Sequence, residues 1–489
     1  MVFAADIITP DGMLYIKVAR LIGDGNWKGV YQEGFYSAYP FLIVVFQKVF
    51  HDWETAGRMV SALAGSAAVL PFFLLLRRMF DVKIAAVAAI FFVVSPRLVE
   101  YSSDVLREPL FWCFSIASLW AAWKGIDEEK WWFVVLASFF VGLSSFTRTE
   151  GLALVAIILL WMVWSLLYQR RKVRLWLAFV MVFLIAFPAI FIAPLYFLKS
   201  RAGDWELGHG VRKIPSLMRS ANVALPADAG GTTPLPGEEA SLLTKIMRNR
   251  YVFSAWETSY KYLRSFHVVL IMFLLFGVIR RRTIPYSGKE VPLLIWCSVF
   301  FLVSFVYAFK VSYVSTRHGL LMGIPSLLWV SAGFWEFSSR IARIAGRSRW
   351  SRKLTRHIAV YLLILACISI LPKTLSSAGD GKIEMKMAGI QLKRMGYSDR
   401  KFAVEPRINR LTFYKGGEFV NIPVNIDHSA LGQFLETVDA SYLVVDDRTI
   451  ETSVRGFKAH TKAMHLERVG IPELEDFREY SFVLYRICR

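Results

Sequence analysis

Apolar stretches of roughly 17 residues or more, nearly free of charge, recur along the first three quarters of the chain and then stop. Runs of that length cross a hydrocarbon layer as helices. They predict ten spans, near 57–76, 84–99, 106–123, 131–147, 151–168, 174–198, 265–279, 291–309, 318–337 and 357–372. Ahead of them, Met13, Ile16, Val18, Ala19 and Ile22 repeat at helical spacing, until Gly23, Gly25 and Gly29 interrupt the pattern around Trp27. Pro10 fits the helix start and Asp11 fits its cap. The aromatic segment 35–40 and the short run to Phe50, interrupted by Gln47 and Lys48, suit a membrane interface rather than a span. Beyond residue 375 the pattern changes. Strand-like runs at 401–404, 419–422, 442–445 and 481–485 alternate with helical patterns at 382–395 and 428–438. That alternation predicts a small α/β domain. The run from Ser441 to Asp447 reads as a buried strand whose final carboxylates, Asp446 and Asp447, open a turn.

Composition agrees with the spans. The 489 residues are 55% hydrophobic and 15% aromatic, with mean hydropathy +0.43, too apolar for a soluble chain of this size. The net charge of +20 could indicate a nucleic-acid partner, but its placement argues otherwise. Arg77, Arg78 and Lys83 follow the first span; Lys124 and Lys130 the third; Arg170, Arg171, Lys172 and Arg174 the fifth; Arg280, Arg281, Arg282 and Lys289 the seventh. Arg340, Arg343, Arg347, Arg349, Arg352, Lys353 and Arg356 follow the ninth. Every second loop is basic, which makes those loops cytoplasmic and able to attract anionic lipid head groups. The other segments then face outside: 1–55, about 100–105, 148–150, 199–264, 310–317 and everything after 373. An outward 1–55 needs either translocation of a short N-terminal tail or, the favoured expectation, a membrane helix upstream of residue 1. The long loop 199–264 has a Gly/Pro-rich centre at 225–237, flanked by amphipathic patterns at 211–221 and 239–264 that would lie on the membrane. Cys113, Cys297, Cys367 and Cys488 show no paired spacing, so neither a disulfide framework nor a zinc site is indicated.

With topology set, the outer face collects the chemistry. Asp11, Asp104 and Glu108 are carboxylates there, the last two one turn apart on an expected helix. Carboxylates suit a general base or a divalent cation. Arg148 and Glu150 are held at the membrane face by a very short link, and Arg317 and His318 open the ninth span. Arginine suits a phosphate, which it can grip with two donors. Plainer readings stand beside each. Asp104 caps the third span, Glu108 pairs with Arg107 or Arg97, Arg148 and Glu150 form an interfacial salt bridge, Arg317 snorkels, and His318 packs. A lipid-linked glycan transporter would place charges in mid-span beside broken helices. The spans are largely apolar, although Pro188 and Pro194 interrupt the sixth. That transporter, or flippase, and a non-enzymatic membrane sensor are the alternatives to an enzyme.

The order of several short motifs resembles the GT-C membrane glycosyltransferases, in the branch of protein O-mannosyltransferases and lipid A aminoarabinose transferases. The motifs are Asp11-Gly12-x-x-Tyr15, Gly25-x-Trp27, Tyr39-Pro40, Gly57-Arg58-x-x-Ser61-Ala62, Ser95-Pro96 with Tyr101-Ser102, Glu108, Gly142-Leu143 with Arg148-x-Glu150-Gly151, and Arg317-His318. The resemblance covers roughly 6–340. It implies a polytopic α-helical membrane protein with a first external loop (1–55), a transmembrane GT-C-like domain (56–375) and an extracytoplasmic α/β domain (376–489), in a bacterial or archaeal plasma membrane. It implies inverting transfer from a polyprenyl-phosphate sugar donor to a lipid, glycan or protein acceptor on the extracytoplasmic face. Asp11 would be the catalytic base or a metal-linked carboxylate, with Asp104 or Glu108 as the second carboxylate. Relatives often carry Asp-Glu where Asp11-Gly12 stands, and Lys where Ser37 and Ala38 stand. Arg58, Arg148 or Arg317 would then take the donor phosphate, while Tyr15, Tyr39, Glu150 and His318 line the substrate. Asp11 could also serve a divalent cation, Mg or Mn.

Overall fold

In the computed structural model, which describes residues 7–33, 37–169, 173–202, 249–279, 288–347, 352–376, 383–471 and 480–488, a helix covers each stretch expected to span a membrane. The chain divides into two compact units, Met1–Leu14 with Ser377–Arg489, and Tyr15–Ser376. The expected segments 211–221 and 225–237 lie outside the described residues.

Three short helices come first: α1 (Pro10–Gly23), α2 (Trp27–Gln32) and α3 (Ala38–Phe50). Pro10 does open α1, but Thr9 caps it. The Gly12 N–H donates to Thr9 Oγ1 at 3.2 Å, so Asp11 is not the cap and sits in the first turn, where the helix dipole favours a carboxylate. The membrane helices follow: α4 (Trp53–Met79), α5 (Val82–Val94), α6 (Pro96–Ser103), α7 (Glu108–Asp127), α8 (Trp131–Thr147), α9 (Ala153–Gln169), α10 (Val173–Ala202), α11 (Arg250–Arg264), α12 (Val268–Ile279), α13 (Val291–Val311), α14 (Thr316–Arg347) and α15 (Arg352–Leu375).

Among the described residues five helices are long and apolar enough to cross a membrane alone, and seven such spans result if two bent pairs each count as one. Ten spans were expected, and by length and composition the described residues give five to seven. The stretch 84–99 is not straight, because α5 and α6 bend by 54° at Ser95-Pro96. Proline lacks the N–H that would continue the ladder and disfavours helical dihedrals in the residue before it. Helix α12 begins at Val268 and is bent 112° from α11. Asp104 and Glu108 do not share a helix, which corrects the sequence expectation. Asp104 is extended (φ −109°, ψ 170°) and α7 starts only at Glu108, since Pro109 cannot donate a hydrogen bond to an earlier turn.

Contacts between helix ends test the expected alternation of sides. Arg78, closing α4, pairs with Glu128 just after α7 at 2.5 Å, and Trp335 Nε1, late in α14, donates to Lys83 O at 3.3 Å. These ends were expected on one side. At the opposite ends, Thr374 Oγ1 in α15 donates to Val94 O at 2.7 Å. Helix α14 is the centre of this unit: its apolar window is 89% buried, against 22% for α15.

The other unit is built on a five-stranded sheet. Its strands are β1 (Phe402–Val404), β2 (Phe419–Asn421), β4 (Tyr442–Asp446), β6 (Leu466–Val469) and β7 (Phe482–Ile487). A separate short pair is formed by β3 (Ile426–Asp427) and β5 (Val454–Arg455). The order is β2-β1-β4-β7-β6. β1 runs parallel to β2 and β4, and β7 runs antiparallel to β4 and β6. Helices α16 (Ile383–Arg394), α17 (Arg410–Lys415) and α18 (His428–Thr437) complete it. Ala403, Leu443, Val445 and Val483 cluster with Leu431 and Leu435 of α18, while Val404, Val444, Phe482 and Leu484 cluster with Leu392 of α16 and Leu411 of α17. A sheet covered on both faces needs continuous apolar strands rather than alternating ones, and this is why 442–445 reads as an unbroken run. Ile7 joins the second cluster and the Ile8 N–H donates to Tyr414 Oη at 2.8 Å. Asp446 opens the turn after β4, accepting the Ser481 N–H at 2.9 Å.

Lys415 is fully buried in this unit. Its Nζ donates to Arg400 O at 2.8 Å and Tyr397 O at 3.1 Å and lies 4.3 Å from the Phe402 ring centroid. Burial pushes its pKa down to about 8, with Asp399 offsetting part of the effect. Between about pH 8 and the ordinary lysine value of 10.5, the unfolded chain holds a proton that the folded chain does not. The contribution of this group to stability therefore rises with pH across that window. In pulse proteolysis of the full chain, the urea midpoint of the C-terminal unit should be higher at pH 9.5 than at pH 7.5. Lys415→Met should flatten that slope; a slope retained in the variant would assign it to another group.

Candidate active site

Three helix termini meet in the membrane unit: the start of α7, the link after α8 and the start of α14. Glu108, the first residue of α7, is 1% exposed. Its Oε1 receives Arg148 Nη1 from the link and Arg317 Nη1 from α14, the latter at 3.2 Å. Arg148 also reaches Glu150, with Nη2 2.5 Å from Oε1. Burial opposes the Arg148 charge, but the carboxylates of Glu150 and Glu108 overcome this and hold its pKa above the usual arginine value. His318 Nε2 stands 3.7 Å from Glu150 Oε1, and the His318 ring stacks on Tyr307 with centroids 5.3 Å apart.

Local structure explains the Arg148–Glu150 pair. After α8 the chain turns through one 3-10 turn, Thr149–Leu152, back against the end of α8. A Cβ on Gly151 would lie 2.5 Å from Ser145 N and 2.6 Å from the Ser144 carbonyl carbon, so only glycine allows this return. The turn brings Glu150 onto the arginine two residues before it.

A second layer surrounds Tyr15 and Tyr39, whose rings meet edge to face at 5.4 Å. The Tyr39 hydroxyl donates to Gly57 O at 2.8 Å and lies 2.8 Å from Ser61 Oγ. Ser61 in turn donates to Leu106 O at 2.7 Å. Arg107 lies over the Tyr15 ring at 5.8 Å and donates to Thr147 O at 3.2 Å. Ser37 caps α3 and donates to Thr147 O at 3.0 Å.

The structure thus joins five of the residues singled out from sequence: Glu108, Arg148, Glu150, Arg317 and His318. Glu108 does not pair with Arg107 or Arg97; Arg97 pairs with Glu100 at 2.6 Å. Asp104 does not cap α7; its Oδ1 accepts the Val105 N–H at 2.7 Å. Arg58 is buried and pairs with Glu54, one turn earlier on α4, at 2.5 Å. Asp11 is one turn ahead of Tyr15 on α1. Sequence reasoning gave Ser61 only as part of the Gly57-Arg58-x-x-Ser61-Ala62 motif and did not single out Tyr307, for which short-range patterns carry no signal. Two buried atoms of the network, Glu108 Oε2 and His318 Nδ1, make no hydrogen bond among the described residues. Arg317 is the more open cation, its side chain 29% exposed against 6% for Arg148. Among the described residues no group of three or more His, Cys, Asp or Glu could hold a metal ion.

This architecture is a membrane helix bundle with the GT-C fold. It is similar to ArnT from Cupriavidus metallidurans bound to undecaprenyl phosphate, with TM-score 0.63 and 12% identity over 99% of this chain and 95% of that one. The apo state of the same protein gives 0.59 and 13%, over 99% and 94%. The Archaeoglobus fulgidus oligosaccharyltransferase in complex with Zn and sulfate gives 0.56 and 14%, over 94% and 66%. More particularly, residues 38–196 match the family model of dolichyl-phosphate-mannose-protein mannosyltransferase. That stretch carries α3 to α9, most of α10 and the Glu108–Arg148–Glu150 part of the site. No match is found among curated proteins. The resemblance to GT-C glycosyltransferases read from the sequence is borne out in both comparisons.

Proposed function

We propose that the chain is a membrane glycosyltransferase that moves a sugar from a polyprenyl-phosphate donor to an acceptor hydroxyl at the extracytoplasmic face, with inversion. The observation that carries this reading is Arg317, a partly exposed cation fixed by a buried carboxylate. A guanidinium already oriented at the start of a membrane helix suits the phosphate of a lipid, and needs little rearrangement when charge develops there. The fold shared with a protein bound to undecaprenyl phosphate supports it further. Arg148 is committed to Glu108 and Glu150 on both of its terminal nitrogens. Its role is to hold the site together, and Arg317 takes the phosphate.

In the reaction, the acceptor oxygen attacks the anomeric carbon from the face opposite the phosphate. The bond from that carbon to the phosphate oxygen breaks, and polyprenyl phosphate leaves with the electron pair. The acceptor proton passes to Asp11, the base of the first loop. Glu108 Oε2 remains to accept a hydrogen bond from a donor or acceptor hydroxyl, Asp104 is the other carboxylate of this reading, and Tyr15, Tyr39, Glu150 and His318 shape the pocket around them. The alternation of basic loops supports an extracytoplasmic position for this end of the bundle, which this reading assigns to a bacterial or archaeal plasma membrane.

The test is transfer itself. Purified protein in liposomes is given an undecaprenyl-phosphate sugar with a labelled glycosyl group and an acceptor extract. The expected result is labelled acceptor and free undecaprenyl phosphate in equal amounts. Movement of the labelled lipid across the bilayer with no new glycosidic bond would replace the enzyme by a transporter.

A further inference from the structure

Helix α11 stands apart from the bundle's other helices in its direction and its faces. It meets the apolar helix α12 at 112°, so when α12 runs across the bilayer, α11 runs close to its plane. Val252, Trp256, Tyr260 and Leu263 are all exposed. Their spacing places them on one face of the helix. The opposite face is polar and buried through Ser254 and Thr258, and Tyr262 donates to Ser326 Oγ of α14 at 2.8 Å. The exposed face therefore has aromatic and aliphatic groups, with Arg264 over the Tyr260 ring at 5.8 Å. It is continuous in sequence with the exposed apolar side chains Val268, Met272 and Leu275 of α12. Tryptophan and tyrosine with a flanking base are the residues that settle at the boundary between head groups and acyl chains.

The helix is also seated against the site. A Cβ on Gly319 would lie 2.3 Å from Lys261 O, so the backbones of α11 and α14 touch two residues after Arg317. We propose that the bilayer is the partner of α11: its Val252–Trp256–Tyr260 face lies in the head-group and acyl boundary, and its seat on Gly319 fixes the depth at which Arg317 meets a lipid phosphate. The second half rests on the lipid-phosphate reading above.

Full-length protein in nanodiscs, made with phospholipids carrying a diazirine high on the acyl chain, tests the first half. Photolysis and peptide mapping should give lipid adducts on Val252, Trp256 and Tyr260 as well as on Val268 and Met272. Adducts on α12 without adducts on α11 would overturn the proposal, as would crosslinks from the α11 face to a second copy of the chain. For the second half, binding of undecaprenyl phosphate is measured without turnover. Gly319→Ala should weaken it roughly tenfold or more, because it displaces a held group beside the ligand. The surface double variant Trp256→Ser with Tyr260→Ser should weaken it roughly fivefold by loosening the interface anchor. Unchanged affinity in both variants would separate α11 from the site. Should the unaltered chain bind no polyprenyl phosphate, the functional reading fails, and the adduct map still decides where α11 lies.

Discussion

Glu108→Gln is expected to lower the stability of the membrane unit by about 3–5 kcal/mol, the usual loss when one partner of a buried ion pair is removed, and to abolish binding of a polyprenyl phosphate. The substitution keeps the shape and removes the charge. Arg148 and Arg317 both converge on Oε1, and the neutral amide leaves two guanidiniums facing each other across a site that is nearly closed to water. Arg317, the more exposed of the two, should swing away first, taking the phosphate contact with it. Thermal unfolding in detergent and equilibrium binding of undecaprenyl phosphate read the two effects separately. Arg317→Lys should keep the melting temperature within a few degrees and still weaken binding, because a point charge replaces a two-pronged donor. An unchanged melting temperature and affinity in Glu108→Gln would remove Glu108 as the anchor of the site.

Asp11→Asn is expected to reduce transfer by about 10²–10⁴-fold, the range that a positioned general base contributes, with expression and melting temperature unchanged. The basis is its position. Thr9 caps α1, so an amide at position 11 leaves that cap in place. One turn later Tyr15 is buried against Tyr39 and beneath Arg107, which fixes the helix that carries the carboxylate. The amide cannot accept the acceptor proton, although it keeps the size of the side chain. Transfer at the original rate would take Asp11 out of the mechanism. A parallel fall in melting temperature would show a structural role instead.

Hydropathy located the membrane helices because a span needs a long apolar run whatever its neighbours are. It did not locate the bends. The 54° break at Ser95-Pro96 had a local sign in Pro96, whereas the turn between α11 and α12 has no proline to announce it. In the α/β unit, β1, β2, β4 and β7 were legible as apolar runs, while β6 carries Glu467 and Arg468 at its centre and the two-residue strands β3 and β5 were too short to rise above the background. For the site, the basic loops led to the expectation that Glu108, Arg148 and Arg317 lie on one face of the membrane. Their pairing did not. Glu108 and Arg148 are 40 residues apart, and Glu108 and Arg317 are 209 apart, distances over which charge pattern says nothing about partners. The nearby candidates Arg97 and Arg107 were plausible by spacing and went instead to Glu100 and to Thr147 O.

Helices α14 and α15 differ sharply in how much of each is enclosed, 89% against 22% of their apolar windows. This sets how each tolerates inherited change. A lipid-facing position in α15 asks only for a greasy side chain, so leucine, isoleucine, valine and phenylalanine can replace one another over generations with little penalty. A position in α14 is fitted against neighbours on nearly every side, and most exchanges there leave a void or a clash. Across descendants of this gene, α14 should drift slowly along its whole length, and α15 quickly with its oiliness preserved. Distant kin would then be easier to align through the ninth expected span than through the tenth.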